Sequence, residues 1–205
     1  MSISATQARP TVTERPVLKV VQHGMTDANL VRRTLAGDSR AFATLVDRHA
    51  SACLRFATRM LGDRADAEDV TQEAFFRAFN ALSSYDGEKP FRPWLFAILV
   101  NRCRTAMLTR KRREHRVVLD EVSVSRTTVE SDSAAIELRE EIEWAVGELS
   151  AEQREAFLLH HIEQMSYEEM AAVTGTGVSA LKMRTKRACA RLQYLLGGGE
   201  GEHAS

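Results

Sequence analysis

From Asp63 to Arg113 the chain passes from acid to base. The stretch up to Glu73 carries Asp63, Asp66, Glu68, Asp69 and Glu73 against Arg64 alone, while residues 94–113 carry Arg102, Arg104, Arg110, Lys111, Arg112 and Arg113 with no acid. A third concentration, Lys182, Arg184, Lys186, Arg187 and Arg191, again lacks a carboxylate. Charges of one sign grouped this way suit binding rather than bond breaking: an acidic helix face attracts a basic partner, and a basic one attracts a polyanion. The simpler reading, solvated helix faces, predicts mixed signs, and the last cluster does not have them.

Side chains able to make or break bonds are poorly assembled. His160 and His161, followed by Glu163, imitate a fragment of a metal site. Consecutive residues, however, point to different helix faces, and the zinc-protease pattern spaces its histidines four apart. Asp66, Asp69 and Glu73 share a face, yet no histidine or second carboxylate helix completes a metal cage. No glycine-rich loop stands between a strand and a helix to cradle phosphates. The three cysteines, Cys53, Cys103 and Cys189, form no CxxC pair, so neither a redox couple nor a zinc knuckle is indicated. No enzyme, metal or cofactor is expected, and reduced thiols point to the cytoplasm.

The elements that must carry these clusters are helices. Apolar residues recur at three- and four-residue steps in Phe42, Leu45, Val46, His49 and Cys53, with Asp38 placed to cap and Gly62 to stop that helix. Asp27 looks like the cap of a shorter helix before it, and His49, on the apolar side, reads as a core histidine. After Asp63, a further cap, one stripe holds Ala67, Val70, Ala74, Ala78 and Ala81, widened by Phe75, Phe79 and Leu82. The opposite stripe holds Asp66, Asp69, Gln72, Glu73, Phe76, Arg77 and Asn80. Phe76 is the misfit there. Either another helix covers it, or it is the apolar anchor of a docking surface with a polar rim. The run SSYDGEKPFRP is a loop, and Pro93 suits the first turn of the next helix. That helix buries Leu95, Leu99, Cys103 and Met107 and turns Asn101, Arg102 and Arg104 elsewhere. Trp94 stands at its entrance, and aromatics beside arginines fit stacking on unpaired bases, worth about 1–3 kcal/mol each.

Residues 114–133 lose the helical period and read as a flexible linker. Beyond it, Ile136, Ile142, Ala145, Val146 and Leu149 give a helix its apolar side. Ser150 with Gln153, and Ser166 with Glu169, are capping boxes for the next two helices. The first of these turns Ala156, Phe157, Leu159 and either His160 or Ile162 inward. The second is short and is followed by Gly175, Gly177 and a last helix from Ser179 to about Leu196, a helix-turn-helix arrangement. Leu181, Ala188, Leu192 and Leu195 form the buried stripe of that helix, and its basic residues suit phosphate neutralisation with groove insertion. Charges balance at 28 basic and 28 acidic residues, so it is local clustering, felt over roughly 8–10 Å, that decides the partners. No apolar run of membrane-spanning or signal-peptide length occurs. The fold expected is all-α: two small helical domains joined by a flexible linker. A tail occupies 1–25, a first domain 26–113, the linker 114–133, a helix-turn-helix domain 134–196 and a second tail 197–205.

DAEDVTQEAFFRAF, then FRPWLFAILVNRCR, then LSAEQREAFLLHHIEQMSYEEMAAVTGTGVSALKMRTKRACARL together resemble a bacterial sigma factor of the sigma-70 superfamily. The likeness is to the small extracytoplasmic-function (ECF) group, and it spans residues 27–113 and 134–196. It implies a promoter-specificity subunit of RNA polymerase. Asp66, Asp69, Gln72, Glu73 and Phe76 match the segment that docks on core RNA polymerase. Trp94, Asn101, Arg102 and Arg104 match the segment that melts and reads the −10 element, and Ser83–Lys89 the loop that holds a flipped base. Ser179, Lys182, Arg184 and Arg187 match the reader of the −35 element. Ala180, Met183 and Thr185 depart from the family's usual residues, which leaves readout to Ser179, Lys182 and Arg184. Promoter DNA, core RNA polymerase and an anti-sigma factor are the implied partners, without membrane insertion. A helix-turn-helix regulator that dimerises on duplex DNA is the rival expectation; it accounts for Ser166–Leu192 but not for Asp66–Phe76 or the helix after Trp94. An adaptor built on acidic helices leaves the basic clusters unexplained.

Overall fold

Side-chain caps start most of the helices in the computed structural model, which describes residues 25–117 and 134–197. Helix α1 (Asp27–Leu35) is capped by Thr26, whose hydroxyl accepts from the Asn29 amide at 3.3 Å. That is one residue ahead of the expected cap. Asp27 is instead committed to the next helix, taking the guanidinium of Arg48 and the Nε2 of His49, the latter at 2.9 Å. Asp38 starts α2 (Ser39–Leu61) and Gly62, at φ 71°, ends it in the left-handed conformation that only glycine adopts cheaply. Asp63 accepts from the Asp66 amide at 2.8 Å and starts α3 (Arg64–Ala81). A 3-10 turn over Leu82–Ser84 and a loop lead to α4 (Phe91–Val117). Its last four residues, 114–117, fall within the expected linker. The rest of that linker and nearly all of both expected tails lie outside the described residues.

The C-terminal helices are α5 (Ala134–Gly147), α6 (Ala151–Phe157), α7 (Tyr167–Thr174) and α8 (Val178–Leu196). Both capping boxes close reciprocally, Ser150 with Gln153 and Ser166 with Glu169. Between α6 and α7, Leu158–Ile162 form a single π-helical turn. The extra residue in that turn shifts the phase, so Leu158 and Leu159 are both buried while Ile162 rotates out to 42% exposure. The same reading of period fails at Ile142 and Phe79, which are also exposed. Phe79 instead meets the half-buried Phe42 edge-on, with ring centroids 4.9 Å apart. All described regular structure is helical, as expected.

Helices α2, α3 and α4 pack on one another, and α6, α7 and α8 form the second group. The two groups are not separate beads. Helix α4 packs along α7, and α2 meets α5 and α6, so the buried residues join into one core running from Leu30 to Leu192. Phe56 and Phe96 meet edge-on at its centre, 5.5 Å between centroids. Cys53 and Cys103 lie inside it as free thiols, and burial pushes both up to about 12, which leaves them inert as nucleophiles. Among the described residues no helix is long and apolar enough to cross a membrane.

His49 makes part of this packing sensitive to pH. It is buried between Asp27 and the ring of Phe91, 5.5 Å away, and desolvation lowers its ionisation below the usual histidine range despite the opposing pull of Asp27. The unfolded chain therefore takes up a proton at this residue, near pH 6.5, before the folded one does. Stability contributed by neutral His49 is present above that value and is lost as pH falls below it. We expect denaturant midpoints to drop on acidification below about pH 6.5, with at most about 1.4 kcal/mol per pH unit from this group. His49→Gln should flatten that part of the profile, and an unchanged slope would rule the assignment out.

Candidate protein and nucleic-acid interfaces

Helix α8 is held by its apolar stripe and presents everything else. Leu181, Thr185, Ala188 and Leu192 are buried, which turns Ser179, Lys182, Met183, Lys186 and Arg187 outward as exposed residues. The turn before it is fixed by Gly175 at φ 68° and by Gly177 at the cap position. Arg184 is half-buried and donates to the Thr176 hydroxyl at 3.4 Å. Lys182 extends over the ring of Tyr167, 5.6 Å from its centroid, and that ring stacks on His160 at 4.4 Å. The outcome is a helix whose solvent side is basic from Lys182 to Arg191 and whose first turn is exposed at Ser179 and Ala180. That shape and charge fit the major groove of a duplex.

The acidic face of α3 is equally open. Asp66, Asp69 and Gln72 are exposed, and Glu73 is half-buried and accepts from Arg77 at 2.6 Å. Phe76 is 63% exposed, so no described helix covers it. It forms one wall of an open groove of about 480 Å³ lined also by Asp69, Val70, Gln72, Glu73 and, from α4, Arg102. The covering helix of the first reading of Phe76 is not found among the described residues.

The residues singled out on α4 do not share one surface. At 3.6 residues per turn, Trp94 and Asn101 fall nearly in line, while Arg102 and Arg104 lie roughly 80° to either side. Trp94 is half-buried in an aromatic cluster, its ring 5.1 Å from Tyr85 and 5.5 Å from Phe91. The Tyr85 hydroxyl donates to the Lys89 carbonyl and so closes the 83–89 loop over that cluster. Asn101 is exposed. Arg102 lies in the α3 groove with its Nε buried and unpartnered. Arg104 turns the other way and grips Glu155 of α6, Nε to Oε2 at 2.7 Å and Nη2 to Oε1 at 2.6 Å. That contact holds the ionisation of Arg104 above its ordinary value.

Two family models match, sigma-70 region 2 over residues 45–113 and sigma-70 region 4 over residues 139–192. Among curated proteins, the RNA polymerase sigma factor NccH of Alcaligenes xylosoxydans is 34% identical over 83% of this chain and 94% of its own length. The ECF RNA polymerase sigma-E factor of Escherichia coli is 30% identical over 80% and 91%. This chain belongs to the sigma-70 family. It is an RNA polymerase sigma factor of the ECF type. A co-crystal structure of the sigma factor RpoE with the anti-sigma factor NepR from Bartonella quintana superposes with a TM-score of 0.65 at 29% identity, covering 77% of this chain and 97% of that one. The ECF relatives set aside the dimeric regulator and the adaptor.

The region 2 match encloses both the acidic face of α3 and the aromatic and basic residues of α4, and the region 4 match encloses the basic side of α8. Arg92, Arg154, Glu155 and Glu163 tie the two regions together; of these the sequence pointed only to Glu163, and there as a fragment of a metal site rather than as a partner of Arg92. Glu155 offered one faint signal: it sits one turn before Leu159, in line with the buried stripe.

Proposed function

We propose that this sigma factor works in the cytoplasm as a binding subunit without catalysis of its own, docking on core RNA polymerase through Asp66, Asp69, Gln72, Glu73 and Phe76. Trp94, Asn101, Arg102 and Arg104, with the 83–89 loop, engage the opened −10 element; Ser179, Lys182, Arg184 and Arg187 read the −35 element. The observation that carries this is a pair of exposed faces of opposite charge, acid around Phe76 on α3 and base along α8. Acid with an apolar anchor fits a protein partner, and an all-basic helix behind a helix-turn-helix turn fits DNA. The family likeness supports the domain limits 26–113 and 134–196. The anti-sigma factor in the RpoE–NepR structure supports a protein inhibitor as a further partner.

Purified chain with core polymerase should give run-off transcripts from a subset of a promoter library, while the chain alone directs none. Absence of transcripts together with dimeric binding to a two-fold duplex site would overturn the reading. Arg184→Ala should cost about 1–3 kcal/mol at one position of the −35 element in a binding series over single-base variants. A uniform loss across all sequences would make Arg184 a phosphate contact instead.

A further inference from the structure

Met183 is 49% exposed on α8, and Ser179, Ala180, Lys182, Lys186 and Arg187 around it are exposed as well. At 100° per residue it stands roughly 170° from the middle of the buried stripe of Leu181, Thr185, Ala188 and Leu192. In the first two turns of the helix it is therefore the side chain most nearly opposite the core. Ala180, three residues earlier, lies beside it on the preceding turn. The two make a small apolar patch with Ser179, Lys186 and Arg187 at its edges. The other large apolar residues exposed on α8 sit at its far end. Tyr194 is covered by the guanidinium of Arg191, 5.4 Å from the ring centroid, and Leu196 is the last residue of the helix. Met183 stands instead near the N-terminus, where a helix-turn-helix protein brings side chains against base edges.

We propose that Met183 reads one thymine of the −35 element through the C5 methyl group of the base, with Ala180 completing the apolar contact. The inference rests on the assignment of α8 to the −35 element. A thioether has no hydrogen-bond donor and is only a weak acceptor, so Met183 cannot read the polar pattern of a base edge. In the major groove every base pair presents donors and acceptors, and thymine alone of the four bases adds an apolar group, its methyl. The flexible, polarisable side chain of methionine can close around a group of that size. Discrimination also works by exclusion. Cytosine would bring its amino donor, and guanine its two acceptors, against a surface that offers them no partner, and a polar group dehydrated without a partner is disfavoured. Lys182 and Arg184 flank Met183 in the chain and have the donors that suit guanine. The face thus combines polar reading by Ser179, Lys182 and Arg184 with apolar reading of a single thymine.

The test uses the full chain assembled with core RNA polymerase and a promoter library randomised across the −35 region. Holoenzyme with the parent chain should enrich thymine at one position, and holoenzyme with Met183→Ala should lose that preference while keeping the others. Because Met183 lies on the surface, the substitution removes no core packing. Both holoenzymes are then compared on one selected promoter made with deoxyuridine in place of that thymine, a change that removes only the methyl group. Binding of the parent should fall about fourfold, the worth of burying one methyl-sized group. The Met183→Ala holoenzyme should bind the two promoters equally, so that the protein and DNA changes are not additive, as required of groups in contact. Absence of a thymine preference in the parent overturns the proposal. So does an equal uracil penalty in parent and variant, which would place the methyl effect in the shape of the DNA, and so does a Met183→Ala loss spread evenly over all positions. Promoters selected with no −35 preference at all would remove the −35 reading of α8 and this proposal with it, whereas a selected −35 element without the methyl dependence removes the proposal alone.

Discussion

Phe76→Ala is expected to weaken binding to core RNA polymerase by at least about 30-fold, roughly 2 kcal/mol, while binding of a −35 duplex by the same variant is unchanged. The size follows from the surroundings. Phe76 is 63% exposed beside an open groove, with Asp69, Gln72 and Glu73 around it. A large ring so placed supplies little to the core of its own chain and gives a partner its one apolar purchase within a polar rim. Truncation should therefore leave thermal unfolding within about 0.5 kcal/mol of the parent, as for other surface changes, which separates lost affinity from lost structure. Titration of labelled full-length protein with core enzyme measures the first quantity and a urea midpoint the second. Equal affinity for variant and parent would remove the α3 face from the docking surface. A salt series adds a check, because contacts of Asp66 and Asp69 with a basic partner weaken as screening increases and the Phe76 contribution does not.

What could be read from the sequence was local. The caps at Asp38, Asp63, Ser150 and Ser166 and the stop at Gly62 act within a few residues, and the helices they bound follow. The exposed aromatic among acids on α3 and the unmixed charge of α8 were also visible, since each face belongs to one helix. Position 185 shows how one such departure is carried: Thr185 is buried and its hydroxyl has no partner, so it fills the stripe without a polar role. The local misses were small, a cap one residue early at Thr26 and a period that slips at Phe79 and Ile142; the larger ones were of longer range. Arg102 and Arg104 both match the −10 segment, and only the structure shows that one enters the α3 groove while the other reaches α6. The contacts of α4 with the C-terminal helices include Glu155 and Glu163, which lie more than fifty residues away in the chain and look like ordinary surface acids. The π-helical turn changed which of Leu158, Leu159 and Ile162 are buried, and a regular 3.6-residue period does not anticipate an inserted residue.

Arg154→Ala should destabilise the protein by about 2–4 kcal/mol, the range for leaving several part-buried carbonyls without a charged donor. Its guanidinium serves four of them. Nε donates to Val146 at 3.1 Å, Nη2 to Gly147 and to Leu149 at 3.2 Å, and Nη1 to Met60 at 2.9 Å. Three of these carbonyls cluster where α5 ends and one lies at the end of α2, where helices leave acceptors unsatisfied and where a positive charge is favoured by the helix dipole. Desolvation lowers the ionisation of Arg154, in contrast to Arg104, yet an arginine remains charged at any ordinary pH. An exposed pair such as Arg64 with Glu68 has geometry almost as good and is expected to contribute no more than about 1 kcal/mol, because water and salt screen it. Arg154→Lys should recover only part of the loss, since one ammonium cannot direct donors to two helix ends at once. Urea unfolding of the full chain is the measurement, and a midpoint equal to the parent's would show that water replaces the guanidinium at no cost. Because Met60 belongs to the N-terminal helices and the other three acceptors to the C-terminal ones, the variant should also lose cooperativity. Fluorescence of Trp94 on α4 and of Trp144 on α5 should then report separate transitions where the parent shows one, and this follows only if the two helical groups are stabilised through each other.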